Sequence, residues 1–367
     1  MRGTVAIVAG LILGAAGVGV ARQAPGAGPY KVLKTATVRG EGSWDYIYAD
    51  VAGRRLYIPR HPSSADLAKP GPQAIPTRLE VYDLDTLNPV GRIAGIGGHG
   101  AAVDPASGHG FASSKPVSMF DTKTMTIVKT IDVGAAEPDG IVFDSFNQRV
   151  YVFSHPTKDA TVIDARDGSV LGVIDLGGVP EQGVPDGKGQ LYVVMQDSPG
   201  GVTVVDVRTM KATAHYPLGD KGRCNGLALD VRSRVLFAAC ATSGNPPAAQ
   251  PQPTMVILRA DDGQMITTLP LAGASDGAVF NADTMEVFST HGNGTMTIVK
   301  ETSPTRFDVE QNLQTMDGAR TLAFDSKTGH VVTMSDRRGP APPTAPGGRP
   351  ARGTAVPDSF TLLMIGK

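Results

Sequence analysis

Aromatic residues are scarce in this 367-residue chain, at 5% with a single Trp, and neither sign of charge prevails, with 34 Lys and Arg against 35 Asp and Glu. A formal charge of −1 supplies no broad basic field for nucleic acid, and a single-strand binder would also need a basic groove interleaved with aromatics. No nucleic-acid partner is therefore expected. There is no HExxH, no paired CxxC and no Gly-x-Ser-x-Gly, so no named hydrolytic mechanism can be read off, and without a haem CxxCH or a full copper ligand pattern electron transfer has little support. Hydrophobic content of 41% is too high for a disordered chain and too low for a polytopic membrane protein. Helical periodicity is nearly absent. What the chain has in excess is 45 Gly and 28 Pro, the residues of turns. Length alone would imply two domains of roughly 150 residues, but repeat architectures run longer as one unit.

One long apolar run exists. Arg2 is followed by Val5 to Val20, and Gly19, Val20 and Ala21 are small residues spaced like a signal-peptidase site. Residues 1–24 are read as a signal peptide cleaved near Ala21 or Ala24, which places the protein in the periplasm or outside the cell. The alternative is an uncleaved anchor, since the run approaches the roughly 20 residues that span a bilayer. Its glycines weaken it as a permanent helix. No Cys follows it to accept a lipid, so a membrane enters only if this segment stays attached.

The strongest signal is internal repetition. Segments of the form Asp, short turn, strand recur as DVAGRRLYI from Asp50, DPASGHGFA from Asp104, DSFNQRVYV from Asp144 and DVRSRVLFA from Asp230. Looser copies are DGKGQLYVV from Asp186, NADTMEVFS from Asn281 and DSKTGHVVT from Asp325. The anchors lie about 40 to 54 residues apart, the length of a four-stranded propeller blade. Between them falls a second motif, an apolar pair, Asp and a turn, as in VYDLDT ending at Thr86 and VVDVRT ending at Thr209. The prediction is an all-β, seven-bladed propeller as one domain over residues 30–367. A strand at Tyr30–Val38 precedes the first repeat and the chain ends on a third strand at Ser359–Ile365, so the N-terminal strand is expected to complete the seventh blade and close the ring.

These repeats resemble the YVTN-repeat (YncE-like) seven-bladed propellers of exported bacterial proteins. The resemblance spans residues 30–367 and implies fold rather than activity. The final Asn of the family tetrapeptide is replaced here by Arg60, Ser154, Met195, Cys240 and His291, so no role of that Asn carries over.

In a propeller, the loops entering each first strand and leaving each second strand gather on one face of the channel, and loops are where function concentrates. The positions five residues before the anchors are Asp45, His99, Asp139, Glu181, Asn225, Asp276 and Arg320, all polar or ionisable. The second strands end nearby and add Arg60, His61, Lys115, His155, Gln196, His291, Ser335 and Asp336. Two readings of this mouth stand open. Asp139, Glu181, Asn225 and Asp276 would hold a divalent cation, calcium through oxygens or zinc where imidazole joins. Otherwise these positions are polar because they are wet, with Asp139 and Asp276 before Gly serving turns.

Three long loops, Pro62 to Thr77, Thr242 to Pro253 and Arg337 to Pro357, emerge on the same face, and Arg337, Arg338, Arg349 and Arg352 would favour an anionic ligand. Trp44 either stacks on a ligand or packs over the channel end. Cys224 and Cys240 fall opposite or within one residue across a hairpin turning near Arg232 and Ser233, the geometry of a disulfide, which an exported protein would keep. Free thiols or a metal pair with His291 or His99 are the alternatives. Two functions follow: a non-enzymatic scaffold binding a small molecule or protein at this face, or a metal-dependent hydrolase of lactonase type.

Overall fold

A computed structural model describes residues 28–67, 75–134, 137–197, 199–221, 223–240, 252–341 and 353–367. The segment 1–24, the middles of the three long loops, and Arg349 and Arg352 lie outside the described residues.

The anchor residues make the turns that the repeats predict. Each carboxylate or amide oxygen accepts a backbone N–H within the turn that follows: Asp104 from Ala106 at 2.9 Å, Asp144 from Phe146 at 3.0 Å, Asp230 from Arg232 at 2.8 Å and Asn281 from Asp283 at 3.0 Å. In six blades the fourth residue after the anchor then takes a left-handed conformation, and in blade four, whose turn is one residue shorter, Gly189 takes it. Blade two uses Gly108 (φ 76) there, whereas Arg54, Gln148, Arg234 and Met285 adopt it at φ 53 to 57. Side chains rarely accept that region, so the capped turn imposes it.

Each hairpin extends into a four-stranded antiparallel sheet, and seven such sheets form the ring. The chain is a seven-bladed β-propeller. Blade one runs Tyr48–Asp50, Arg55–Arg60, Arg78–Asp83 and Pro89–Ala94 from the channel outwards, and blades two to six repeat that order. The seventh departs from it. Its inner strands are Leu322–Asp325, His330–Ser335 and Thr361–Gly366, and its outermost strand is Lys31–Thr37 from the N-terminus, in the closing role the sequence predicts. Two further contacts hold the closure. Arg54 of blade one grips Asp325 of blade seven with both terminal nitrogens, at 2.8 and 2.6 Å. Tyr30 packs edge-on against Phe288 at 5.1 Å and exchanges two 2.9 Å hydrogen bonds with the Gln311 amide.

The core lies between blades. Tyr151, Phe153, Val162 and Ile174 of blade three meet Leu191, Val193 and Val205 of blade four, and all are buried. Side chains of this size contribute roughly 1.5–3 kcal/mol each when fully buried. Among the described residues there is a single helical turn, Ser64–Leu67, and no helix is long and apolar enough to cross a membrane.

Candidate functional site at the channel mouth

Four of the inner strands begin with a β-bulge. Pairing with the second strand slips between Pro138 and Ile141, between Pro180 and Gly183, between Cys224 and Gly226, and between Ser275 and Gly277. The residues released from the ladder include Asp139, Glu181, Asn225 and Asp276. A bulge leaves one residue unpaired and re-aims its side chain. Glycine follows the ring position in four blades because the neighbouring inner strand lies against it. A Cβ on Gly140 would stand 2.6 Å from the Glu181 carbonyl, and one on Gly226 would stand 2.7 Å from the Gly277 backbone. These glycines serve close packing, not turns.

All seven ring positions join one chain of contacts. Glu181 Oε2 lies 3.0 Å from His155 Nε2, which lies 2.7 Å from Asp139 Oδ2. The other Asp139 oxygen is 3.2 Å from His99 Nδ1, which is 2.9 Å from Asp45 Oδ2. Asp45 Oδ1 accepts from Arg320 at 3.2 Å, Arg320 reaches Asp276 at 2.7 Å, and the Asn225 amide donates to Asp276 at 2.7 Å. Asp139 is 5% and Glu181 7% exposed, so these charges meet away from bulk water.

Burial sets the electrostatics. It raises the Glu181 carboxyl above the ordinary range, helped by Asp139 and Asp276 and opposed by the hydrogen bond from His155. Burial would lower His155, but its hydrogen bonds to Asp139 and Glu181 outweigh that and carry the imidazole up to about 10. His99 rises against burial for the same reason, through Asp45 and Asp139. Asp45 falls despite burial because His99 and Arg320 hold its charge.

The four residues expected to hold a cation are divided by this arrangement. Asp139 and Glu181 converge with His155, and Asp139 also converges with Asp45 and His99. In each group one ligand atom per residue lies within 4.8 Å of the others. Asn225 turns instead to Asp276, and Asp276 to Arg320. A set of one imidazole and two carboxylates suits zinc better than calcium, which prefers oxygen alone.

The remaining rim residues sort by depth. His61 lies beside the site, its ring 5.8 Å from that of His99 and its Nδ1 2.9 Å from the Pro62 carbonyl oxygen. With exposed Lys115 it lines a cavity of about 710 Å³ next to His99. Gln196 donates to Glu181 and lies 3.0 Å from His155 Nε2. His291 is buried in blade six with its Nδ1 2.9 Å from Thr295 Oγ1. Trp44 packs on Phe360 with ring centroids 5.0 Å apart, and Arg60 stacks on the same Phe360 at 3.8 Å, both in the wall between blades one and seven. Ser335 donates to the Asp317 carbonyl, and Asp336 pairs with Arg338 at 2.8 Å.

Cys224 and Cys240 are directly paired across the hairpin of blade five and are joined as a disulfide, which removes the free-thiol and metal-pair alternatives.

Two residues that matter to the site escape the repeat reading. Tyr46 donates its hydroxyl across the channel to Glu181 Oε1 at 2.9 Å, and burial with the surrounding carboxylates keeps it protonated well above its ordinary value. Gln182 accepts from Leu227 N and Ala278 N at 3.0 and 3.1 Å and donates to the Ala278 carbonyl at 2.9 Å, linking three inner strands. Both occupy the position after the ring residue, where four blades carry Gly, and that contrast is the signal in the sequence. Beneath them the channel holds a cavity of about 280 Å³ with an apolar wall that includes Ile141, Phe143, Val279 and Phe324.

No family model matches the chain, and no curated relative matches it. Among solved structures, a chain of Kuenenia stuttgartiensis hydrazine synthase superposes with a TM-score of 0.66 over 81% of this chain and 94% of that one, at 14% identity. That likeness is one of fold.

Proposed function

We propose that this is an exported propeller of the YVTN-repeat kind that binds its ligand at the channel mouth, and that binding there runs through a divalent cation, zinc in preference to calcium. The carrying observation is the convergence of imidazole nitrogen and carboxylate oxygen on the blade-one to blade-four side of the ring. His155 Nε2 has Asp139 Oδ2, Glu181 Oε2 and Gln196 Nε2 within 3.0 Å. A ring nitrogen carries at most one proton, so it cannot donate to both carboxylates in good geometry. A cation satisfies the nitrogen and both oxygens together. The Cys224–Cys240 disulfide fits an oxidising compartment and so supports export.

The test is calorimetric titration of chelator-stripped, untagged protein with Zn²⁺. Saturable binding that is lost in the His99→Ala/His155→Ala double variant is expected. Equal affinity in that variant, or no binding by the wild type, overturns the proposal.

A metal-dependent hydrolase of lactonase type is the second reading. The cavity beside His99 favours it, because its walls combine Leu67, Ile75, Pro116 and Ile127 with polar groups in a volume fit for a small organic substrate. In that case the cation polarises a carbonyl and activates water. Zinc-loaded protein should then open a simple lactone faster than the His155→Ala variant; equal rates remove this reading and leave the binding role.

A further inference from the structure

We infer that the mouth holds two divalent cations side by side, bridged by the Asp139 carboxylate. The inference rests on the cation-binding reading above and goes beyond it in stoichiometry and in the role of each residue. The geometry behind it is the way each carboxylate spends its two oxygens. Asp45 gives Oδ1 to Arg320 and keeps Oδ2 facing His99. Glu181 gives Oε1 to the Tyr46 hydroxyl and turns Oε2 to His155, where the Gln196 amide also donates to it. Each is therefore oriented by a donor on one oxygen and presents the other, as metal-binding carboxylates are. Asp139 differs. Its Oδ1 faces His99 at 3.2 Å and its Oδ2 faces His155 at 2.7 Å, so each of its oxygens belongs to a separate group.

Each cation would thus have one imidazole nitrogen, one terminal carboxylate oxygen and one oxygen of the shared Asp139. That leaves positions open for water or an oxygen-bearing ligand, as in zinc sites with three protein ligands. A shared carboxylate suits the roughly 3.5–4 Å spacing of two-metal centres. Charge permits two ions, since Asp45, Asp139, Glu181 and Asp276 outweigh Arg320 and two divalent cations leave the cluster within one charge of neutral. The bridge is rigid as well, because Asp139 is buried and the following Gly140 has no room for a side chain.

Native mass spectrometry and calorimetry on untagged, chelator-stripped full-length protein titrated with Zn²⁺ test the inference. Two ions per chain are expected. His99→Ala and His155→Ala should each retain one, and Asp139→Asn should weaken both sites by roughly 10–100-fold. Cobalt substitution adds a readout that folding defects cannot mimic, since bridged ions couple magnetically and Asp139→Asn should remove the coupling. One ion per chain at saturation, or two ions both held at wild-type affinity in Asp139→Asn, overturns the bridge while the single-cation reading stands. Absence of any bound ion fails the underlying reading as well.

Discussion

The two sides of the channel mouth start from the same repeat positions and reach opposite solutions. On the side of blades one to four, Asp45, Asp139 and Glu181 are brought together by His99 and His155, whose charge depends on protonation. On the side of blades five to seven, Asp276 is held by Arg320, a permanent cation, and by the Asn225 amide, while a disulfide closes the strand pair beside Asn225. One half is held by a permanent cation and a covalent bond. The other remains chemically open, with carboxylate oxygens converging on nitrogens that cannot serve all of them by hydrogen bonding. A polar ring in a propeller thus marks the face to examine, and the location of its fixed cation tells which arc of that face is available to a ligand.

The largest effect expected from breaking this contrast comes from the disulfide. Cys224→Ala/Cys240→Ala should lose roughly 3 kcal/mol by the loop-closure estimate for a loop of about 15 residues. Urea unfolding measures the loss. Zn²⁺ affinity should hardly move, because the disulfide belongs to the structural half; a fall comparable to that of His155→Ala would mean that the halves are not separable.

Arg320→Gln comes next. It leaves Asp45 and Asp276 without their permanent cation, and for groups still partly reached by water about 2 kcal/mol of stability should go, below the range for a fully buried pair. The same variant should bind Zn²⁺ more weakly than the wild type, since Asp45 loses the donor that orients its Oδ2 toward His99. Tighter affinity would show that Arg320 competes with the cation for Asp45 more than it orients it.

Much of this architecture is legible in the chain because it rests on local rules. An Asp that caps a turn recurs wherever a hairpin opens, so Asp104, Asp144 and Asp230 reveal blades, and counting strands reveals that residues near Tyr30 must close the ring. Opposed positions on one hairpin pair Cys224 with Cys240. Which ring residues cohere is not local. His155 meets Glu181 across a blade boundary, Arg320 meets Asp45 across the closure, and the bulges at Asp139 and Glu181 turn side chains by amounts that repeat spacing does not encode. Tyr46 and Gln182 show the remaining gap, since a spacing rule finds the polar ring but overlooks the neighbour that fills the channel where other blades carry Gly.

The smallest effect concerns two histidines at the ends of second strands, His291 as the last strand residue and His155 just beyond one. His155 is pushed up to about 10 by carboxylates, whereas burial alone pushes His291 down to about 3. His291 therefore folds in its neutral form. A group whose folded value lies below its unfolded one contributes stability that is fully present above the unfolded value, near 6.5, and is lost as pH falls toward the folded one. At pH 5.5 the loss should be about 1 kcal/mol. His291→Gln keeps a polar contact for Thr295 without the titration, so thermal melting of the variant should fall less steeply than that of the wild type between pH 6.5 and 4.5. Parallel slopes would mean that His291 accepts a proton without unfolding blade six, and that the structural half of the mouth yields to acid more readily than its burial implies.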